Sequence, residues 1–150
     1  MARAPALLLS MIAFVFCVAT STVVRSQPAR AQSHAQQLAH LPDIKDAIVK
    51  AIGADADKVE LNTTPSMFRV VLVNGKMNDA SAASAAGREN EASAISSIVS
   101  HAIATKPGFK RVAAIRVEYV IRSSGKGKPK IVDMIEFRKD TSVQFRHHVT

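Results

Sequence analysis

The sequence predicts an α+β fold: a two-layer sandwich with two helices on one face of an antiparallel sheet of four or five strands, in the order α-β-β-α-β-β-β. Two segments, 41–52 and 92–103, repeat apolar residues at helical spacing. Short β-rich stretches bounded by turn residues lie between and after them. The last two long stretches alternate so regularly that, laid side by side, they put apolar residues on one face and charged residues on the other. Such a sheet needs cover on one face only, and the two helical stripes supply it.

The chain opens with a segment outside that fold. Ala4 to Val24 carries no charge, follows the single basic residue Arg3, and gives way to Ser26-Gln27-Pro28-Ala29-Arg30-Ala31. A basic start, an apolar centre and a small-residue end form an export signal. From Ala6 to Ala19 only Ser10 interrupts the apolar run, which is short beside the ~20 residues of a bilayer span. Including Thr20 to Val24 would lengthen it enough to span, so a membrane-anchored form is the alternative. Phe14-Val15-Phe16 is too bulky for a lipid-attachment site at Cys17.

The expected cut follows Ala31 and makes residues 1–31 a cleaved signal peptide and the product exported, periplasmic or secreted. The remaining 119 residues suit one domain. They contain no cysteine, which excludes disulfides and thiolate metal sites. They carry 17 basic and 12 acidic residues, a net +5, divided as −2 over residues 32–105 and +7 over residues 106–150.

Residues 32–40 read as a flexible N-terminal segment ahead of a single α+β domain over 41–150. The first helix is expected to start at Pro42, where a missing N–H costs nothing, and to stop at Gly53, with Leu41, Ile44, Ile48 and Ile52 as its stripe. Val59 to Thr64 and Phe68 to Asn74 read as a hairpin through Pro65-Ser66, with a turn at Asn74-Gly75. Ala92, Ile95, Ile98, Val99, Ala102 and Ile103 form the stripe of the second helix, which ends before Pro107-Gly108. Its start is ambiguous, because the Ala/Ser-rich run from Asp79 favours an early start and Gly87 a later one.

The strands Arg111 to Arg122 and Lys130 to Arg138 flank a Ser/Gly/Lys turn. Centring that turn on Lys126 sets Ile121 against Ile131, Tyr119 against Asp133, Val117 against Ile135 and Ile115 against Phe137 on one face. On the other, Arg122 meets Lys130, Val120 meets Val132, Glu118 meets Met134 and Arg116 meets Glu136. A last strand, Val143 to Val149, is an edge through which copies of the chain could pair.

Ile44 to Ile52, Phe68 to Gly75, Arg88 to Ile103 and Val112 to Val120 together resemble, in element order, the BON domains of bacterial envelope proteins. The resemblance covers about half the chain. Its glycine pattern matches only at Gly75, and the C-terminal hairpin lies outside it.

Several constellations bear on chemistry. Ser97 and His101, four residues apart on the second helix, could pair as nucleophile and base, yet no nucleophile-elbow glycines and no orienting acid accompany them. Asp133, on the apolar face opposite Tyr119, is a candidate buried acid or a structural partner of the tyrosine hydroxyl. The turn Ser123-Ser124-Gly125-Lys126-Gly127-Lys128 has the composition of a phosphate-cradling loop without the spacing or the following helix of a P-loop. Cutting after Ala31 would set His34 third from a free amine, in Gln32-Ser33-His34, a sequence suited to square-planar Cu(II) or Ni(II).

The adopted reading is a small non-catalytic binding or scaffolding domain of the cell envelope with no cofactor. Its contact residues are Arg116, Arg122, Lys126, Lys128, Lys130 and Arg138, facing an anionic envelope polymer or membrane surface. Glu118 and Glu136 within the patch, and export itself, argue against nucleic acid as the partner. The alternatives are a small envelope hydrolase using Ser97, His101 or Asp133, and a copper- or nickel-binding protein using His34.

Overall fold

The computed structural model describes residues 29–124, 127–142 and 144–148, with side chains from residue 33 onward. The expected signal segment therefore lies almost wholly outside the described residues. Two helices, α1 (Ala29–Ile52) and α2 (Ala85–Ala104), pack on a five-stranded sheet of β1 (Val59–Thr63), β2 (Met67–Val73), β3 (Ala114–Ile121), β4 (Lys130–Lys139) and β5 (Phe145–His148). The element order and α+β class are those the sequence predicts.

The strands lie in chain order, and the sheet is mixed. β1 and β2 form the expected hairpin, and β3, β4 and β5 continue antiparallel, but β2 and β3 run parallel. The reason is the crossover. α2 carries the chain back along the sheet, so β3 starts at the end where β2 started, as in any β-α-β unit.

One core joins the layers. Ile44 and Ile48 of α1 and Ala92, Ile95, Val99 and Ile103 of α2 meet Phe68, Val70 and Leu72 of β2, Ile115, Val117 and Tyr119 of β3, and Ile135 and Phe137 of β4. These strand residues alternate in sequence, so both helices lie on one face. On the other face Val71, Val73 and Val120 form a small separate cluster, while Ile131 and Met134 are exposed.

The N-terminal segment differs from expectation. Residues 32–40 are helical, because they dock on the loop before β3: Ser33 Oγ and Gln37 Nε2 donate to the Gly108 carbonyl at 3.1 and 2.9 Å. Gln37 is 1% exposed. A Cβ on Gly108 would sit 3.1 Å from the Gln36 Cβ, so this approach needs the missing side chain. Pro42 thus lies inside α1. The hydrogen bond that it cannot donate would have gone to the carbonyl of Leu38, a solvent-exposed residue. The helix stops as expected, with Gly53 at φ +62°. α2 starts at Ala85, where Ser84 Oγ accepts from the Gly87 N–H at 3.0 Å, so Gly87 lies in the first turn without preventing the helix.

The Lys126-centred register is found over six pairs, from Ala114 with Arg138 to Tyr119 with Asp133. It then slips by one, so that Val120 faces Ile131 and Ile121 faces Lys130. The slip is a β-bulge that leaves Val132 without an opposite residue. The expected pairs of Arg122 with Lys130, Ile121 with Ile131 and Val120 with Val132 are accordingly absent.

Candidate functional site

The helix-free face of the sheet carries the three arginines expected to contact anions, and all three are engaged by carboxylates. Arg116 Nη2 donates to Glu136 Oε2 at 2.7 Å, and Arg138 Nε donates to Glu136 Oε1 at 2.7 Å. Arg122 Nη2 donates to Glu60 Oε2 at 2.8 Å. These guanidiniums hold both acids below the usual carboxylate range: Arg138 and then Arg116 for Glu136, Arg122 for Glu60. Arg69, outside the expected patch, donates through Nε to Glu118 Oε1 at 2.7 Å. Glu118 is buried on this face beside Val71 and Val120, where a bidentate arginine supplies the compensation that a desolvated carboxylate requires.

The Arg122–Glu60 pair spans from the end of β3 to β1, with β2 between them, so it lies across Val71 and Val73. That arrangement accounts for valines shielded from water on a face without a helix. The expected basic patch is therefore a network of alternating charge.

The lysines differ. Lys128 and Lys130 are exposed, and among the described residues no carboxylate lies within ion-pairing distance of either. Lys126 lies outside the described residues.

Asp133 faces Tyr119 as expected, and its partner is Arg88, a residue the sequence did not single out. Arg88 Nε donates to Asp133 Oδ2 at 2.8 Å and Nη1 donates to the Ala83 carbonyl at 2.9 Å. The Tyr119 hydroxyl donates to the Arg88 carbonyl at 2.8 Å. This network joins α2 to β3 and β4, and each buried polar atom in it has a partner. Burial, and then the nearby Glu91, push the Tyr119 hydroxyl up. Burial likewise pushes Glu91 above the usual carboxylate range.

The structure does not bring Ser97 and His101 together. Ser97 Oγ donates to the Ser93 carbonyl at 3.0 Å, back-bonding to its own helix, and both residues are exposed. His34 is exposed on α1, where a square-planar chelate would require the first turn to unwind. Among the described residues no three histidine, cysteine or carboxylate side chains converge on a metal-sized site. No helix among them is long and apolar enough to cross a membrane.

Two asparagines, Asn74 of the expected turn and Asn78, which gave no sequence signal, organise the carboxyl ends of the parallel strands. Asn74, at φ 50°, pairs with the Arg122 backbone, Nδ2 donating at 3.0 Å and Oδ1 accepting at 2.8 Å. Asn78, 2% exposed, donates to the carbonyls of Leu72 and Val120 at 2.7 and 2.8 Å and accepts from the Gly75 N–H at 3.1 Å. Beside it, between this turn and the end of α1, opens a cleft of about 180 Å³ with Glu91 on its wall.

No protein-family model, curated protein or solved structure matches this chain.

Proposed function

We propose that this protein is a non-catalytic binding or scaffolding domain of the cell envelope, and that the tip of the β3–β4 hairpin is the part that meets an anionic polymer or head-group surface. The supporting observation is the division of cations. Arg116, Arg122 and Arg138 are committed to Glu136 and Glu60, whereas Lys128 and Lys130 at the hairpin tip have no carboxylate partner among the described residues. An unpaired, solvated ammonium can exchange water for a phosphate or carboxylate without first breaking an internal pair. Export, as the uncharged segment Ala4 to Val24 implies, would bring this tip to envelope polymers and lipids.

Charge reversal at Lys126, Lys128 and Lys130 tests the reading. Retention on a polyanionic resin and sedimentation with anionic vesicles should both fall, with the wild-type interaction weakening as salt rises and the melting temperature unchanged. Unchanged retention on both supports would remove the proposal. Among the described residues the outer edge of β5 has no strand neighbour, so pairing of two copies along it is the second reading.

A further inference from the structure

The cleft on the helix side of the sheet has a chemistry distinct from the hairpin tip. Its apolar wall is formed by Ile52, Ala54, Leu72 and Met77. Four ionisable residues border it: Asp55, Lys58, Lys76 and Glu91. Asp55 and Lys58 neutralise each other at 2.8 Å. Lys76 is exposed to solvent. Glu91 is half-buried, and among the described residues no cation lies within ion-pairing distance of it.

The neighbourhood of Glu91 leaves its charge uncompensated. The Tyr119 hydroxyl beside it donates to the Arg88 carbonyl at 2.8 Å, so its one proton is divided between that carbonyl and the Glu91 carboxyl group. A shared hydroxyl proton brings no counter-charge to the carboxylate. The Arg88 guanidinium is occupied by Asp133 and the Ala83 carbonyl. The last carbonyls of α1 end at the same cleft, where the helix dipole adds partial negative charge. The carboxyl group and the helix end both favour a cation from outside, and the apolar wall favours one with a hydrocarbon body. The volume is comparable with the roughly 150 Å³ in which an apolar protein cavity accepts benzene.

We propose that this cleft binds a small primary amine with an apolar body of about one aromatic ring, its ammonium seated on Glu91 and its apolar part on Ile52, Leu72 and Met77. The ammonium supplies the counter-charge that the fold withholds, and Glu91 is ionised in the complex. A neutral analogue of the same shape would gain only the apolar contact.

Titration of the purified protein at pH 7.5 with benzylamine, benzyl alcohol and benzoate, followed by calorimetry and by amide shifts of cleft residues, tests this. Benzylamine should bind at least tenfold more tightly than benzyl alcohol. Glu91→Gln should bring benzylamine to the level of benzyl alcohol while leaving benzyl alcohol unchanged. Met77→Trp, which fills the cleft from a half-exposed position, should weaken both. Equal binding of amine and alcohol, tightest binding of benzoate, an undiminished amine affinity in Glu91→Gln, or no saturable binding of any probe would each overturn the proposal.

Discussion

Replacing Asn78 by alanine should be among the most destabilising single changes outside the apolar core, and its cost follows from three hydrogen bonds. The side chain donates to the Leu72 and Val120 carbonyls and accepts from the Gly75 N–H. Val120 O also accepts from the Asn74 N–H at 3.0 Å and keeps that partner in the variant. Leu72 O likewise keeps the Val120 N–H of the parallel β2–β3 ladder, so only the Gly75 N–H is left without a partner. Three hydrogen bonds at a net value of about 0.5–1.5 kcal/mol each are lost, and the partial exposure of Gly75 lets water reach its N–H, so the loss should be about 2–4 kcal/mol. In a domain of this size that corresponds to a melting temperature lower by roughly 10–15 °C.

Thermal and urea melts followed by circular dichroism would measure it. Asn78→Asp separates donor loss from volume loss, because it keeps the acceptor and aims a second anionic oxygen at two carbonyls. It should be worse than Asn78→Ala at pH 7 and recover as the pH falls and the carboxyl gains a proton that it can donate. A loss below about 1 kcal/mol for alanine, or an aspartate variant no worse than alanine at pH 7, would refute the account of this residue as the tie between β2 and β3.

Two further perturbations probe the polar contacts. Arg88→Met should cost about 2 kcal/mol, less than the 3–5 kcal/mol of a fully buried pair because Asp133 keeps access to water, and a double-mutant cycle with Asp133→Leu should recover part of it; additive losses would deny the coupling. The pH profile should have two opposing limbs. Glu60 and Glu136, held down by arginines, contribute stability that is present above the unfolded carboxylate value of about 4.3 and is lost as pH falls through their lower folded values. Glu91, pushed up by burial, contributes stability below that unfolded value and loses it as pH rises through its folded value, so Glu91→Gln should raise the melting temperature near pH 7 and leave it unchanged near pH 4. An equal shift at both pH values would show that Glu91 does not titrate in this way.

Most of the fold was legible because alternation and helical spacing are local signals. The pairs from Ile115 with Phe137 to Tyr119 with Asp133 follow from alternation alone, since a slip there would put core residues into water. Near the turn alternation no longer discriminates: Val120-Ile121 and Ile131-Val132 are adjacent apolar pairs that favour no register, so the bulge leaves no mark in the sequence. The start of α1 was missed for a different reason. Gln37 and Ser33 are polar in sequence and become anchored only through a carbonyl more than seventy residues away. Similarly, the burial of Glu118 depends on Arg69, which the unforeseen parallel pairing of β2 and β3 brings within reach. Charge counting reads Arg116, Arg122 and Arg138 as available, and it cannot see the carboxylates that take them.

That division between arginine and lysine has a physical basis. A guanidinium meets a carboxylate with two parallel hydrogen bonds and tolerates partial desolvation, so it suits a sheet face where Glu118 and Glu136 are mostly withdrawn from water. An ammonium is a hydrated point charge and gains little there; at a hairpin tip it keeps its water and stays free to exchange it. The same end of the sheet holds both proposed contact surfaces. β2 and β3 are parallel, so their carboxyl ends coincide, with the amine cleft beside Leu72 on the helix side and the lysines beyond Ile121. Asn78 joins the Gly75 turn to Val120, and Asn74 joins the same turn to Arg122, so one short loop braces both. Loosening it through Asn78 should therefore weaken benzylamine binding while leaving the polyanion contact, whose lysines need only be exposed. Equal loss of both would mean that the hairpin, too, depends on a fixed geometry.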